Sequence, residues 1–260
     1  MLLYCRGGKF ILENILKNKS IFIFDLDGTL IDSVGIWNKI DQKLIQDLGH
    51  IVVPENIINL DRDRIIGAST SGSPYDDYVS YLNDKYKMNK SIGELADYRV
   101  YLMNEILKHE VSVRPYAVEL IELLRELGMT LILATTTTRR NLATYCNENP
   151  DTQRLDFENN FSLILSMEDV TFFKPNPEIF NKVVELMHID RKKVIIIEDS
   201  IVGIKAANAA GIASIAVAEK HSSKSTDELK KCANVYIDSL GEIYEVLSKN
   251  LVKKAKKPEK

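Results

Sequence analysis

Short apolar runs that stop abruptly on polar residues recur along the chain, separated by stretches whose apolar positions fall at helical spacing. Runs at Ser20–Phe24, Thr130–Ala134, Phe161–Ser166, Lys193–Ile197 and Ala213–Val217 predict buried parallel strands, with a weaker one at Val235–Ile237. Between them, Ala117–Leu127, Arg139–Cys146, Pro177–Leu186, Ile201–Ala210 and Leu240–Leu247 read as helices. Gly128 and Gly211 fall just past two helix ends, where a left-handed residue closes the last turn. Strand and helix alternate in the manner of an α/β fold, a parallel sheet covered by helices.

Between the first two strands the rhythm breaks. Ile36–Leu48, Pro74–Lys87 and Ile92–Lys108 are all helical in pattern, with no convincing strand among them. This predicts a helical subdomain at 35–112, inserted into a core made of 20–34 and 113–250 and joined to it near Ser33–Gly35 and Val111–Pro115. Residues 1–19 form an N-terminal extension with a short amphipathic helix at Phe10–Leu16, and 251–260 a basic, frayed tail.

Composition narrows the class. With 260 residues there is room for two domains, and 45% hydrophobic against 27% charged residues is the balance of a globular chain. The 34 basic and 37 acidic residues give no basic field, which argues against nucleic acid as a partner. No apolar run approaches the roughly 18 residues of a membrane span, so no membrane partner is expected. Cys5, Cys146 and Cys232 lie scattered without metal or disulfide spacing, which suggests reduced thiols in a cytoplasmic protein. A monomer or small homo-oligomer is expected.

The candidate chemistry sits where strands stop. Ile21–Phe24 runs into Asp25-Leu-Asp27-Gly28-Thr29, and in open α/β sheets ligands bind just beyond the carboxyl ends of strands. A turn of this composition also serves simply to end a strand. After Thr130–Ala134 come four threonines, Thr135–Thr138, leading into a helix; such a run either caps the helix or offers hydroxyl and N–H donors to a phosphate. Lys174 lies between Phe172-Phe173 and Pro175, a point charge suited to a phosphate. Val194–Ile197 ends on Glu198-Asp199. If the two acidic strand ends are adjacent, four carboxylates meet; one like-charge pair about 4 Å apart costs about 4 kcal/mol at an effective dielectric of about 20. A cation or a proton is then required, and an oxygen-only donor set suits Mg²⁺.

Taken in order, these motifs identify the chain as a member of the haloacid dehalogenase superfamily, in the branch with a helical cap inserted after the first motif. The resemblance covers about residues 20–240. It implies a Rossmann-like core with a helical cap, and a phosphatase acting on a small phosphorylated metabolite such as a sugar or polyol phosphate. Asp25 would attack phosphorus and become a phosphoaspartate; Asp27 would act as general acid and then general base. Mg²⁺ would be held by Asp25, the backbone carbonyl of Asp27 and Asp199, with Glu198 contributing through water or from one layer back. Thr135, Thr136 and Lys174 would grip the phosphoryl oxygens, and Asp32 and Ser33 would brace the turn. Members that displace halide lack the second aspartate, so Asp27 favours phosphate esters.

Two alternatives stand beside this reading. A mutase of the β-phosphoglucomutase type carries a histidine where this chain has Trp37, and an arginine after a cap glycine where this chain reads Gly67-Ala-Ser-Thr70; both departures favour hydrolysis. A silent binding protein would have lost the acids that this chain retains. Phe173 replaces the glycine usual before the motif lysine, and Asn147–Asn160 is longer than typical, suggesting a surface excursion. Trp37 lines the pocket or packs the cap, while Ser69–Asp76 is expected to face the cleft. His50, His109, His188 and His221 show no ligand spacing.

Overall fold

The computed structural model describes residues 10–68, 74–220 and 226–255. Among the expectations above, those on His221 and on 69–73 lie outside these residues, as does the end of the basic tail. The chain forms two compact units: one from the segments up to Ser33 and from Ser112 onward, the other from Val34–Val111.

Among the described residues the first unit is built on eight strands: β1 (Ile21–Phe24), β2 (Ile31–Asp32), β3 (Ser112–Val113), β4 (Thr130–Ala134), β5 (Leu163–Leu165), β6 (Val194–Glu198), β7 (Ala213–Val217) and β8 (Val235–Ile237). Six of them make a parallel sheet in the order β5-β4-β1-β6-β7-β8. β1 is central, and all four of its residues are buried, as a strand covered on both faces must be. Ile21 and Ile23 pack on one face with Ile132, Ile196, Phe180 and Val183, while Phe22 and Phe24 stack on the other. Each such side chain contributes about 1.5–3 kcal/mol by leaving water.

Helices flank the sheet: α1 (residues 10–16), then, after the insert, α6 (Ala117–Glu126), α7 (Arg139–Asn147), α8 (Phe157–Asn160), α9 (Glu178–Met187), α10 (Ile201–Ala209), α11 (Thr226–Cys232) and α12 (Gly241–Ala255). Leu12 and Leu16 of α1 are buried. Gly128 and Gly211 adopt φ of 70° and 67°, the left-handed closure expected of them. No helix among the described residues is long and apolar enough to cross a membrane.

Three expectations need correction. The segment 147–160 is not a surface excursion: it folds into a 3-10 turn at Thr152–Leu155 and then α8, burying Leu155 and Phe157 and stacking Phe157 on Phe161. Its apolar residues pack it against α6 and α7. α12 continues to Ala255, into the segment expected to fray. β2 and β3, two residues each and antiparallel, join the two ends of the insert where no strand was expected.

The second unit consists of α2 (Ile36–Gly49), α3 (Glu55–Ala68), α4 (Pro74–Tyr86) and α5 (Ile92–His109). A capping box of Ser91 and Glu94 starts α5. α3 is the helix that periodicity missed: Ile58 is fully buried but Leu60 is 59% exposed, so no clean apolar stripe marks it. At the centre, fully buried Asp41 accepts hydrogen bonds from Arg99 (Nε at 3.0 Å), Arg62 and the Tyr78 hydroxyl (3.0 Å), which ties all four helices through one carboxylate. Trp37 is half-exposed on α2.

Candidate active site

The strands β4, β1 and β6 lie side by side and stop together, so the residues following them converge. The Asp25 amide donates to Ile197 O at 3.0 Å, which keeps the chain paired to β6 one residue past β1. The backbone then turns sharply. Gly28 takes φ 79°, where a Cβ would be strained, and its N–H closes the turn onto Ile31 O at 2.8 Å.

Lys174 organises the charges. Its ammonium donates to Asp25 Oδ1 (2.6 Å), Glu198 Oε1 (2.7 Å) and Ala134 O (3.1 Å), and lies over the Phe180 ring. Burial by itself drives this amine towards neutrality, but the two carboxylates outweigh it and hold its pKa above the ordinary lysine value.

The carboxylates respond in the opposite sense. Burial pushes Asp25 up to about 7, opposed by Lys174 and reinforced by the charges of Glu198 and Asp27. Asp199 is pushed well above the usual range by burial, then by Glu198 and Asp25, with only Thr29 and Lys174 pulling against. Burial also raises Asp27, against hydrogen bonds from Ser33, Thr137 and Tyr145. One lysine thus leaves this acidic group short of positive charge.

Each expected site residue has a definite place. Asp27 is half-buried and accepts from the Ser33 hydroxyl at 2.6 Å, so Ser33 does brace the turn. Asp32 pairs with Lys220 at 2.6 Å. Thr135 is fully buried, and its Oγ1 accepts from the Thr137 amide at 3.1 Å; Thr136 stands exposed. Thr138 caps α7 by accepting from Asn141 N, one of the two roles that the run left open. Phe173, where a glycine was usual, is 49% exposed and leaves Lys174 buried in the site.

Glu198 uses both of its oxygens within the protein. Oε1 takes Lys174, while Oε2 accepts from the Ser200 amide (2.9 Å) and hydroxyl (2.8 Å). Its oxygens are engaged in seating the lysine and starting α10, which leaves Asp25 and Asp199 as the carboxylates available to a metal. Sequence reasoning missed three supports. Thr29 donates to Asp199 Oδ1 at 3.0 Å, Tyr145 reaches Asp27, and Arg114 ties Gly28 O to Ala218 O.

No three His, Cys, Asp or Glu side chains among the described residues are grouped to enclose a metal by themselves. Two carboxylates and a backbone carbonyl nevertheless fit Mg²⁺, which retains several waters and seldom takes an all-protein cage. The charge deficit points the same way. A carboxylate whose folded pKa is raised lends stability that is fully present below its unfolded value near 3.9 and is lost as pH rises through the folded value. For Asp25 that loss runs from about pH 4 to about pH 7. Mg²⁺ is therefore expected to raise Tm clearly at about pH 8 and little at about pH 5. Thermal unfolding with Mg²⁺ and with EDTA at both pH values checks this; an equal shift at both would discount the carboxylates as its cause.

A parallel sheet with its chemistry at three adjacent strand ends, and a helical unit spliced in after the first, defines the capped α/β hydrolases. The chain belongs to the haloacid dehalogenase-like hydrolases, whose family model matches residues 22–217. It is 29% identical over 191 residues to a phosphorylated carbohydrates phosphatase of Thermotoga maritima, covering 73% of this chain and 81% of that one. It is 23% identical over 225 residues to hexitol phosphatase B of Escherichia coli O157:H7, covering 85% and 92%. In fold it resembles a crystal structure provisionally assigned as a β-phosphoglucomutase from Thermotoga maritima (TM-score 0.71, 23% identity, covering 90% of this chain and 99% of that one).

Proposed function

We propose that this chain is a Mg²⁺-dependent phosphatase that hydrolyses a small phosphorylated metabolite, of the sugar- or polyol-phosphate type, through a phosphoaspartate on Asp25. The observation that carries this reading is the pairing of Asp25 with Lys174 at 2.6 Å beside a second aspartate, Asp27, whose Oδ1 is held by Ser33. A nucleophile alone would serve several chemistries; an adjacent acid suits a leaving group that needs a proton. The relatives named as phosphatases of carbohydrates and hexitols support the substrate class.

Asp25 attacks phosphorus in line, and Asp27 gives its proton to the departing ester oxygen. Asp27, now a carboxylate, then takes a proton from the water that hydrolyses the phosphoaspartate. Lys174, held in place by Glu198, meets the phosphoryl oxygens together with Thr135 and Thr136, lowering the cost of charge as it develops. Asp25, Asp199 and the Asp27 carbonyl would hold the metal, which would supply positive charge to offset these carboxylates and the incoming phosphate. The reduced state expected of Cys146 and Cys232 fits a cytoplasmic setting.

Phosphate release from a panel of hexose, pentose, hexitol and two-carbon phosphates, with Mg²⁺ and with EDTA, tests the reading. Metal-dependent release concentrated on sugar or polyol esters is expected. Isomerisation of a sugar phosphate without release would instead make the chain a mutase, and inactivity on the whole panel would sink the enzyme reading.

A further inference from the structure

Tyr145 carries a buried hydroxyl that the reaction above does not use. It lies on α7, 1% exposed, with its OH 3.4 Å from Asp27 Oδ1. Phenylalanine would fill the same space without a polar atom to satisfy, whereas a buried phenol needs a partner, and the partner here is an active-site carboxylate. The same oxygen accepts from Ser33 Oγ at 2.6 Å. Two donors from different elements converge on Oδ1, and Thr137 adds a third side-chain hydrogen bond to the same carboxyl, which together fix the rotation of its plane.

The segment that follows is built to hold this tyrosine. Thr152 Oγ1 donates to the Tyr145 carbonyl at 2.7 Å, and the Asn149 amide donates to Thr144 O at 3.1 Å. Asn149 Oδ1 in turn accepts from the amides of Asp151 (2.9 Å) and Thr152 (3.0 Å). Asp151 Oδ2 accepts from Val113 N at 2.8 Å, anchoring the segment to β3. The extra length of 147–160 thus ends in contacts that fix the C-terminal end of α7, where Tyr145 sits.

Resting on the phosphatase reading, we propose that Tyr145 is a positioning residue for Asp27: with Ser33 it fixes Oδ1, so that the proton resides on Oδ2 and faces the leaving group. In the step concerned, an Asp25 oxygen bonds to phosphorus and the ester P–O bond breaks. The proton on Asp27 moves to the departing oxygen, giving an alcohol, a phosphoaspartate and an Asp27 carboxylate. A misaimed Asp27 slows this step in proportion to how much the leaving group needs its proton.

Leaving-group dependence is therefore the test. kcat/KM reports the first irreversible step and is compared for p-nitrophenyl phosphate, whose phenolate departs unaided, and for an alkyl phosphate accepted by the wild type. In Tyr145→Phe the alkyl-to-aryl ratio of kcat/KM is expected to fall about 10-fold or more, in the direction of an Asp27→Asn control. Ser33→Ala provides a second variant should Tyr145→Phe fold poorly, and it is expected to move the ratio the same way. A structural role would lower both substrates equally, and an unchanged ratio in both variants overturns the proposal while leaving the phosphatase standing. A wild type that releases phosphate from neither ester overturns the phosphatase reading and this proposal with it.

Discussion

Asp25→Asn is expected to lower kcat by about 10⁴- to 10⁶-fold while the protein stays folded, the scale seen when a covalent nucleophile is removed. The amide is nearly isosteric but cannot attack phosphorus as a carboxylate does. Lys174 keeps its bonds to Glu198 Oε1 and Ala134 O, so the lysine remains seated. Stability is expected to move in the opposite direction from activity. Burial pushes Asp25 up to about 7, so above that pH it stands ionised in the folded, metal-free protein at a cost in stability. Replacing it with a neutral group relieves that cost, so the metal-free variant should melt at or above the wild-type Tm at about pH 8. Thermal unfolding and phosphate release on the same preparation separate the two effects. Turnover within about tenfold of wild type, with the fold intact, would remove Asp25 from the nucleophile's place.

Much of this site was legible because its residues announce themselves at strand ends. β4, β7 and β8 coincide with their apolar runs, and the acids at the ends of β1 and β6 stand where polar residues interrupt those runs. What escaped was whatever acts through geometry rather than residue type. Thr29 reads as one more turn residue until Asp199 is found 170 positions away in sequence. Arg114 resembles any arginine after a linker, yet it bonds two backbone carbonyls from separate loops. Paired acids at a strand end do not say what each one binds; the contacts of its two oxygens place Glu198 on Lys174 and Ser200. The segment 147–160 did carry a signal. Asn149-Pro150-Asp151 favours a side-chain-capped turn, and Leu155, Phe157 and Phe161 are apolar enough to demand burial.

Gly203→Ala is expected to be strongly disruptive, although alanine in a helix is normally the better residue by about 1 kcal/mol. A Cβ on Gly203 would stand 1.8 Å from Glu198 Oε1 and 1.9 Å from its Cδ, contacts that no small adjustment removes. Glu198 is buried, so it cannot swing into solvent, and leaving its seat breaks its bonds to Lys174 and to the Ser200 amide that begins α10. Overpacking costs about 1–3 kcal/mol, and a broken buried ion pair about 3–5 kcal/mol, so the net loss should far exceed the gain in helix propensity. A displaced Lys174 should also lower kcat about 10²- to 10³-fold, as losing one positioned donor to a developing charge does. The cause is isolated by a double-mutant cycle with Glu198→Ala. If the clash is with Glu198, Gly203→Ala costs little or even stabilises once that side chain is gone, although activity stays low because Lys174 lacks its partner. If instead the two losses add, the glycine is needed for some reason other than the room it gives Glu198.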